Sequence, residues 1–376
     1  MDAVSPSPFR SACLRYARLA APPAALVGLI VPLFLFSGME TVALFAAPQM
    51  EELSIGAVCF LLTILTAFPV CVIAYRLYSH LRDDLTDVEK TLERGRQDWI
   101  GRLAVSFAVM AISAVVCGAA FGLIGSAFTN ARVTYIMAAV ICAAYSGALG
   151  FAVAYYITGL GKQNLLALVG VVAVGGIFIS FLVAQDDEWW RESISFLGYD
   201  PGSSIIFNLT IIMTGLIALT FSRDLIDDLQ VLNQMGRIPL NSFRFIRVGL
   251  TLICLGIVGI GLFPTAISDL STFVHNLFAH SMALLFIIAM LALDRFAPAI
   301  YPASFIRTSR IAGAVCVAAF IAYYGLNIIN FVALELILFI CFGVWVYLFN
   351  RHTKNYIRAQ NPHEVLRATM EIRQAQ

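Results

Sequence analysis

Five residues of this chain sit where polar chemistry is costly and therefore informative. Glu40, Asn208, His275, His280 and Glu335 all fall within long apolar stretches. A charged or amide side chain in hydrocarbon marks a ligand site, a proton path or a polar contact between helices. Glu335 and His275 form the natural acid–base pair of the set, and imidazole titrates near neutrality. Together the five could hold the polar head of an amphipathic ligand. The two histidines do not read as a metal site. Five residues on an α-helix separate side chains by about 140°, whereas a helical two-histidine site uses i, i+4 spacing. Asp269, Asn276 and His280 share one helix face and His275 lies on another. No metal and no other cofactor is therefore expected. Asn208 also suits an interhelical hydrogen bond, and Glu40 could be satisfied by backbone at a helix end.

The elements that must position these groups follow from composition. Of 376 residues, 60% are hydrophobic and 12% charged, with a mean hydropathy of +0.86. Soluble domains carry roughly a quarter charged residues, so the surrounding solvent here is lipid. A span needs roughly 20 apolar residues. Windows of that length predict helices near 25–47, 53–78, 100–125, 131–160, 164–184, 203–225, 245–266, 269–294, 309–327 and 329–350. The fold class expected is an all-α polytopic transmembrane bundle of about ten spans. Its parts are an N-terminal segment (1–24), a four-span unit (25–160), a six-span unit (161–350) and a tail (351–376).

Basic residues alternate with acidic ones along the loops. Arg10, Arg15 and Arg18 precede the first span, Arg82, Lys90, Arg94 and Arg96 follow the second, and Arg351, Lys354 and Arg358 begin the tail. The intervening loops carry Glu51 and Glu52, then Asp186, Asp187, Glu188 and Glu192. Lysine and arginine mark the cytoplasmic side. Both termini are thus expected in the cytoplasm, and the protein in a cytoplasmic-type (inner or plasma) membrane. In that frame Glu40, Asn208, His275 and Glu335 lie about 8–10 Å from the outer ends of their helices, and His280 lies somewhat deeper. Four helices would then line one polar cavity in the outer leaflet.

Three further features shape the reading. The eight cysteines form no CxxC pair and read as small buried hydrophobes. Arg76–Lys90 resembles Thr220–Gln234, pairing Asp83-Asp84-Leu85 with Asp227-Asp228-Leu229, which suggests a parallel internal repeat. The charged stretch Ser79–Trp99 and the tryptophan-bearing stretch Gln185–Pro201 are the two connections longer than a turn. Trp189 and Trp190 in the second suit an interfacial position. Basic residues are scattered over short loops, so no nucleic-acid partner is implied. No phosphate-binding glycine loop, GxSxG elbow or HExxH pair is present.

The second half also carries short motifs in a recognisable order. SFLG (Ser195–Gly198) precedes a span opening with Phe207-Asn208 and continuing through Thr214-Gly215. GIGLFP (Gly259–Pro264) and HNLFAH (His275–His280) follow. Over roughly residues 165–350 this resembles the six-span bacterial family labelled domain of unknown function nine-nine-eight. More distantly it is similar to the Frag/DRAM/Sfk group of membrane proteins, some of which are linked to lipid remodelling. The resemblance implies a six-span bundle and, faintly, a lipid connection. Three function classes follow. The first is a non-enzymatic protein that binds or moves a lipid-like ligand, with membrane lipids as partners. The second is an accessory subunit packed on a transporter, a synthase or another copy of itself. The third is an intramembrane enzyme acting on a lipid headgroup or carrier.

Overall fold

A helix satisfies all of its own backbone hydrogen bonds, which is why apolar segments of this length adopt it in lipid. The structure, a computed structural model, describes residues 8–44, 53–81, 99–128, 131–158, 162–297 and 300–374. Among these residues, ten helices are long and apolar enough to cross a membrane. The protein is a multi-pass membrane protein. The chain divides into two compact units, Met1–Gly161 and Lys162–Gln376.

The first unit contains α1 (Pro8–Leu35), α2 (Ile55–Leu81), α3 (Trp99–Ala127) and α4 (Tyr135–Thr158). Its first span lies earlier than the sequence suggests: the apolar stretch is Ala12–Leu35, not 25–47. Helix α1 runs through Pro22, Pro23 and Pro32. It stops where Ser37 Oγ donates to the Phe34 carbonyl (2.7 Å) and Gly38 turns the chain with a φ of +89°. That backbone region is open to glycine without a Cβ penalty. The chain continues into β1 (Thr41–Ala43), which pairs antiparallel with β2 (Arg132–Thr134), Val42 opposite Val133. This two-stranded ladder is the one departure from an all-α fold among the described residues.

Helices α1 and α4 approach through small residues. A Cβ on Gly28 would stand 2.5 Å from Ser146 Oγ, and one on Gly150 would stand 2.6 Å from Ala24 Cβ. Small side chains at such spacing let helix backbones come close in lipid. Phe36, Val42, Ile55 and Leu62 are buried together with Cys59, Cys117 and Cys142. The Sγ atoms of Cys59 and Cys142 lie 3.8 Å apart as free thiols.

The second unit contains α5 (Lys162–Val183), α6 (Ser204–Gln234), α7 (Leu240–Leu262), α8 (Asp269–Leu291), α9 (Ala303–Phe320) and α10 (Phe331–Arg358), followed by α11 (Pro362–Gln374). Helix α6 packs between α5 and α7, α8 follows on α7, and α9 joins α8 to α10. Glycines again set the close approaches. Gly176 faces Thr210, Gly215 faces Val258, and Gly261 faces the Asn208 carbonyl. Helix α9 ends in a π-turn, Ile321–Gly325, where the Leu326 N–H donates to the Ile321 carbonyl (3.0 Å). Asn327 then takes a φ of +52°, and Asn330 caps α10 by accepting from the Ala333 N–H (2.9 Å). The first member of the suggested repeat, Asp83-Asp84-Leu85, and most of the Ser79–Trp99 stretch lie outside the described residues.

Candidate functional site

The connection from α5 to α6 is short of space for a domain, yet it folds into a defined cap. Two 3-10 turns, Trp189–Arg191 and Ile194–Gly198, stand over the helix ends. Asp200, 1% exposed, fastens this cap. Its carboxylate accepts from the backbone N–H groups of Gln185, Asp186, Gly202 and Ser203 at 2.9–3.2 Å. It also accepts from Ser203 Oγ at 3.0 Å. One side chain thereby ties the end of α5 to the start of α6. Burial opposes its charge, but the donors from Gln185, Ser203 and Asp186 outweigh that and hold the carboxyl below its usual range.

Two of the intramembrane polar groups serve the same cap. Asn208 Nδ2 donates to the Gly198 carbonyl (2.9 Å). Glu335, near the start of α10, accepts from the Ile194 N–H (2.5 Å) and from Ser195 Oγ (3.0 Å). The expected pairing of Glu335 with His275 is therefore replaced by these two donors. Trp189 turns inward and stacks on Phe181 at 4.4 Å, while Trp190 remains exposed with Arg191 over its ring. Only one of the two indoles thus stays at the surface.

His275 and His280 divide as their angular separation requires. His275 is 3% exposed, and its Nδ1 stands 2.9 Å from the Phe263 carbonyl just past the end of α7. A carbonyl can only accept, so Nδ1 carries the proton. With Ser271 Oγ donating to the Pro264 carbonyl (2.7 Å), it pins the α7–α8 turn. His280 is exposed and lies on another face, its Nδ1 on the Asn276 carbonyl (2.7 Å) and its Nε2 on the Tyr324 hydroxyl (3.1 Å). By the same argument Nε2 accepts from the tyrosine. Glu40 lies past the end of α1, exposed, in the turn leading to β1, and belongs to the first unit. The apolar window at 25–47 placed it too deep, because the first span ends at Leu35.

Below the cap lies a cavity of about 1080 Å³ inside the second unit. Phe178, Phe207, Phe286, Phe339 and Phe342 are among its walls. Glu335 and Ser195 line it at the cap, and His280 and Tyr324 also border it. At the opposite end α10 contributes Asn350, Arg351, Lys354, Asn355 and Arg358. Of the five residues singled out in the sequence, Glu335 and His280 border this space, whereas Asn208 and His275 are absent from its walls. A Cβ on Gly343, midway along α10, would meet nothing within 4 Å, so the space reaches the α10 backbone there. Two buried polar atoms beside it lack a hydrogen-bond partner, Thr214 Oγ1 and Asn350 Oδ1. No grouping of His, Cys, Asp and Glu among the described residues could hold a metal ion.

Asp200 and the basic end of α10 were not singled out by sequence reasoning. Asp200 is one acid among several in its loop, and its signal is position: it stands four residues before the first residue of α6, where a carboxylate meets unpaired N–H groups.

The family described as Protein of unknown function (DUF998) matches residues 167–352, the second half of the chain. The match runs from within α5 to within α10 and includes the cap and most of the cavity lining, but not Lys354, Asn355 and Arg358. No curated protein and no solved structure matches the chain.

Proposed function

We propose that the second unit binds an amphipathic, lipid-like molecule in this cavity and performs no covalent chemistry on it. The observation that carries the reading is the distribution of charge along one continuous space: walls mostly aromatic and aliphatic, with the charged side chains confined to its two ends, Glu335 at one and Arg351, Lys354 and Arg358 at the other. Ligand sites are commonly apolar clefts of about 300–1,000 Å³ with a few placed polar groups. A cavity at the upper limit of that range, within a membrane bundle, suits a molecule with a long apolar part. The basic ends of the helices are read as cytoplasmic, so the ligand would lie along the membrane normal. Glu335 acts in this reading as a clamp for the cap, since both of its oxygens already accept hydrogen bonds.

The test is mass spectrometry of lipids retained by the full chain after extraction in native-lipid particles, comparing wild type with Gly343→Trp. A Cβ at that position meets no neighbour, and the indole is expected to occupy part of the cavity that Gly343 borders. Loss of a retained amphiphile in the variant supports the reading, and identical profiles sink it. One contact favours an enzymatic alternative: Ser195 Oγ, at the cavity wall, donates to the Glu335 carboxylate. That reading requires Ser195→Ala to change the chemical form of the retained lipid rather than its amount.

A further inference from the structure

The basic end of the cavity has a chemistry of its own. Arg351, Lys354 and Arg358 stand at i, i+3 and i+7 on α10, hence on one helix face, and all three line the cavity. Against them the cavity wall contains a single carboxylate, Glu335, at the other end. The separation along the helix from Glu335 to Arg351 is 16 residues, about 24 Å. The α6 extension carries Asp224, Asp227 and Asp228, but none of these borders the cavity. Lys354 is engaged in an interaction of its own, whereas the two arginines are exposed.

A second observation points to a ligand at the same place. Asn350 is 6% exposed, borders the cavity one residue before Arg351, and its Oδ1 has no hydrogen-bond partner. A buried amide oxygen left unpaired costs roughly 1–3 kcal/mol; Oδ1 itself is closed to a water-sized group, so a turn of the amide toward the cavity would let an occupant with a hydroxyl donor remove that cost. Helix α10 has 28 residues, about 42 Å, against a hydrocarbon core of about 30 Å. Its basic turn therefore reaches the level of lipid phosphates.

We infer that this end of the cavity is a headgroup site for an anionic glycerophospholipid, its phosphate held by Arg351 and Arg358 and a headgroup hydroxyl donating to Asn350 Oδ1. Guanidinium groups bind phosphate oxygens in paired hydrogen bonds, and the acyl chains occupy the aromatic-walled space above. This inference rests on the cavity being a lipid site, and the experiment separates the two claims. Full-length protein in detergent is titrated with phosphatidylglycerol or phosphatidylcholine of identical acyl chains, and bound lipid per chain is read by native mass spectrometry.

Wild type retains phosphatidylglycerol in preference. In the Arg351→Gln, Arg358→Gln double variant that preference falls by about tenfold, while phosphatidylcholine retention is unchanged. The charge-conserving Arg351→Lys, Arg358→Lys variant keeps most of the preference, which excludes misfolding as the cause. Asn350→Leu weakens phosphatidylglycerol retention by about threefold to tenfold. Gly343→Trp loses both lipids, which distinguishes the cavity from lipid bound on the outer surface. Equal retention of the two lipids by wild type, or an undiminished preference in the glutamine variant, overturns the headgroup site and leaves the cavity reading standing. Unchanged retention in Gly343→Trp overturns both.

Discussion

The α1–α4 seam of the first unit and the α10 flank of the second unit use glycine in opposite ways. At Gly28 and Gly150 the missing Cβ is replaced by a neighbouring helix, so the glycine closes space. At Gly343 nothing takes its place, and the glycine belongs to the wall of a cavity whose other walls are aromatic. In lipid there is no hydrophobic gain from pressing apolar helices together, so close packing must come from fit. The seam has that fit. The α10 flank instead keeps its position through polar fastenings: Glu335 to the cap and Asn330 Nδ2 to the Trp190 carbonyl (3.4 Å) at its start, and Trp345 Nε1 to Ser309 Oγ of α9 (2.7 Å) at its middle. Space between helices is tolerated where such fastenings hold them.

The sharpest way to break this comparison is to put the same side chain at both glycines. Gly28→Leu meets Ser146 and the Cys142 carbonyl, and should cost about 3 kcal/mol or more. Gly343→Leu should cost less than about 0.5 kcal/mol. Thermal melts of the detergent-solubilised chain, followed by size-exclusion chromatography, check the pair. Equal losses would mean that the α10 flank is packed as tightly as the seam.

Next in size is Asp200→Ala, which strands four backbone N–H donors and should cost about 3 kcal/mol in the same assay. Asp200→Asn should cost less, because an amide oxygen still accepts. Its folded carboxyl lies below the usual value. The contribution is thus complete above the unfolded carboxylate pKa, about 4, and is lost as pH falls through the lower folded value. Melting should show no dependence on this group between about pH 5 and 8, and the acid-side loss should shrink in Asp200→Asn.

Glu335→Ala, which frees the Ile194 and Ser195 donors, should cost about 2 kcal/mol and speed hydrogen exchange at Ile194. Unchanged exchange would show that α10 does not hold the cap. The smallest effect belongs to Tyr324→Phe. It removes one bond to an exposed histidine and should shift stability by no more than about 1 kcal/mol.

The helices were legible because hydrocarbon leaves few alternatives: long apolar windows become spans, and nine of the ten lie close to where hydropathy puts them. The tenth was displaced because alanine-rich sequence around Pro22 and Pro23 scores weakly while still continuing α1. The split between His275 and His280 was also legible, since five residues on a helix fix an angle. The partners were not. Asn208, Glu335 and Asp200 bond to backbone groups of one short cap, and nothing in a hydropathy pattern says how a loop folds back. The cavity arises from what α10 fails to touch, which is a tertiary property without a local signal.

The cap has a consequence for traffic. Asp200, Asn208 and Glu335 stitch it to α5, α6 and α10 through side-chain bonds that must break together for it to lift. Cap residues Ile194 and Ser195 border one end of the cavity. On the lipid-binding reading proposed above, an occupant would then exchange sideways between helices or past Arg351 and Arg358, and its turnover would follow the composition of the adjoining leaflet.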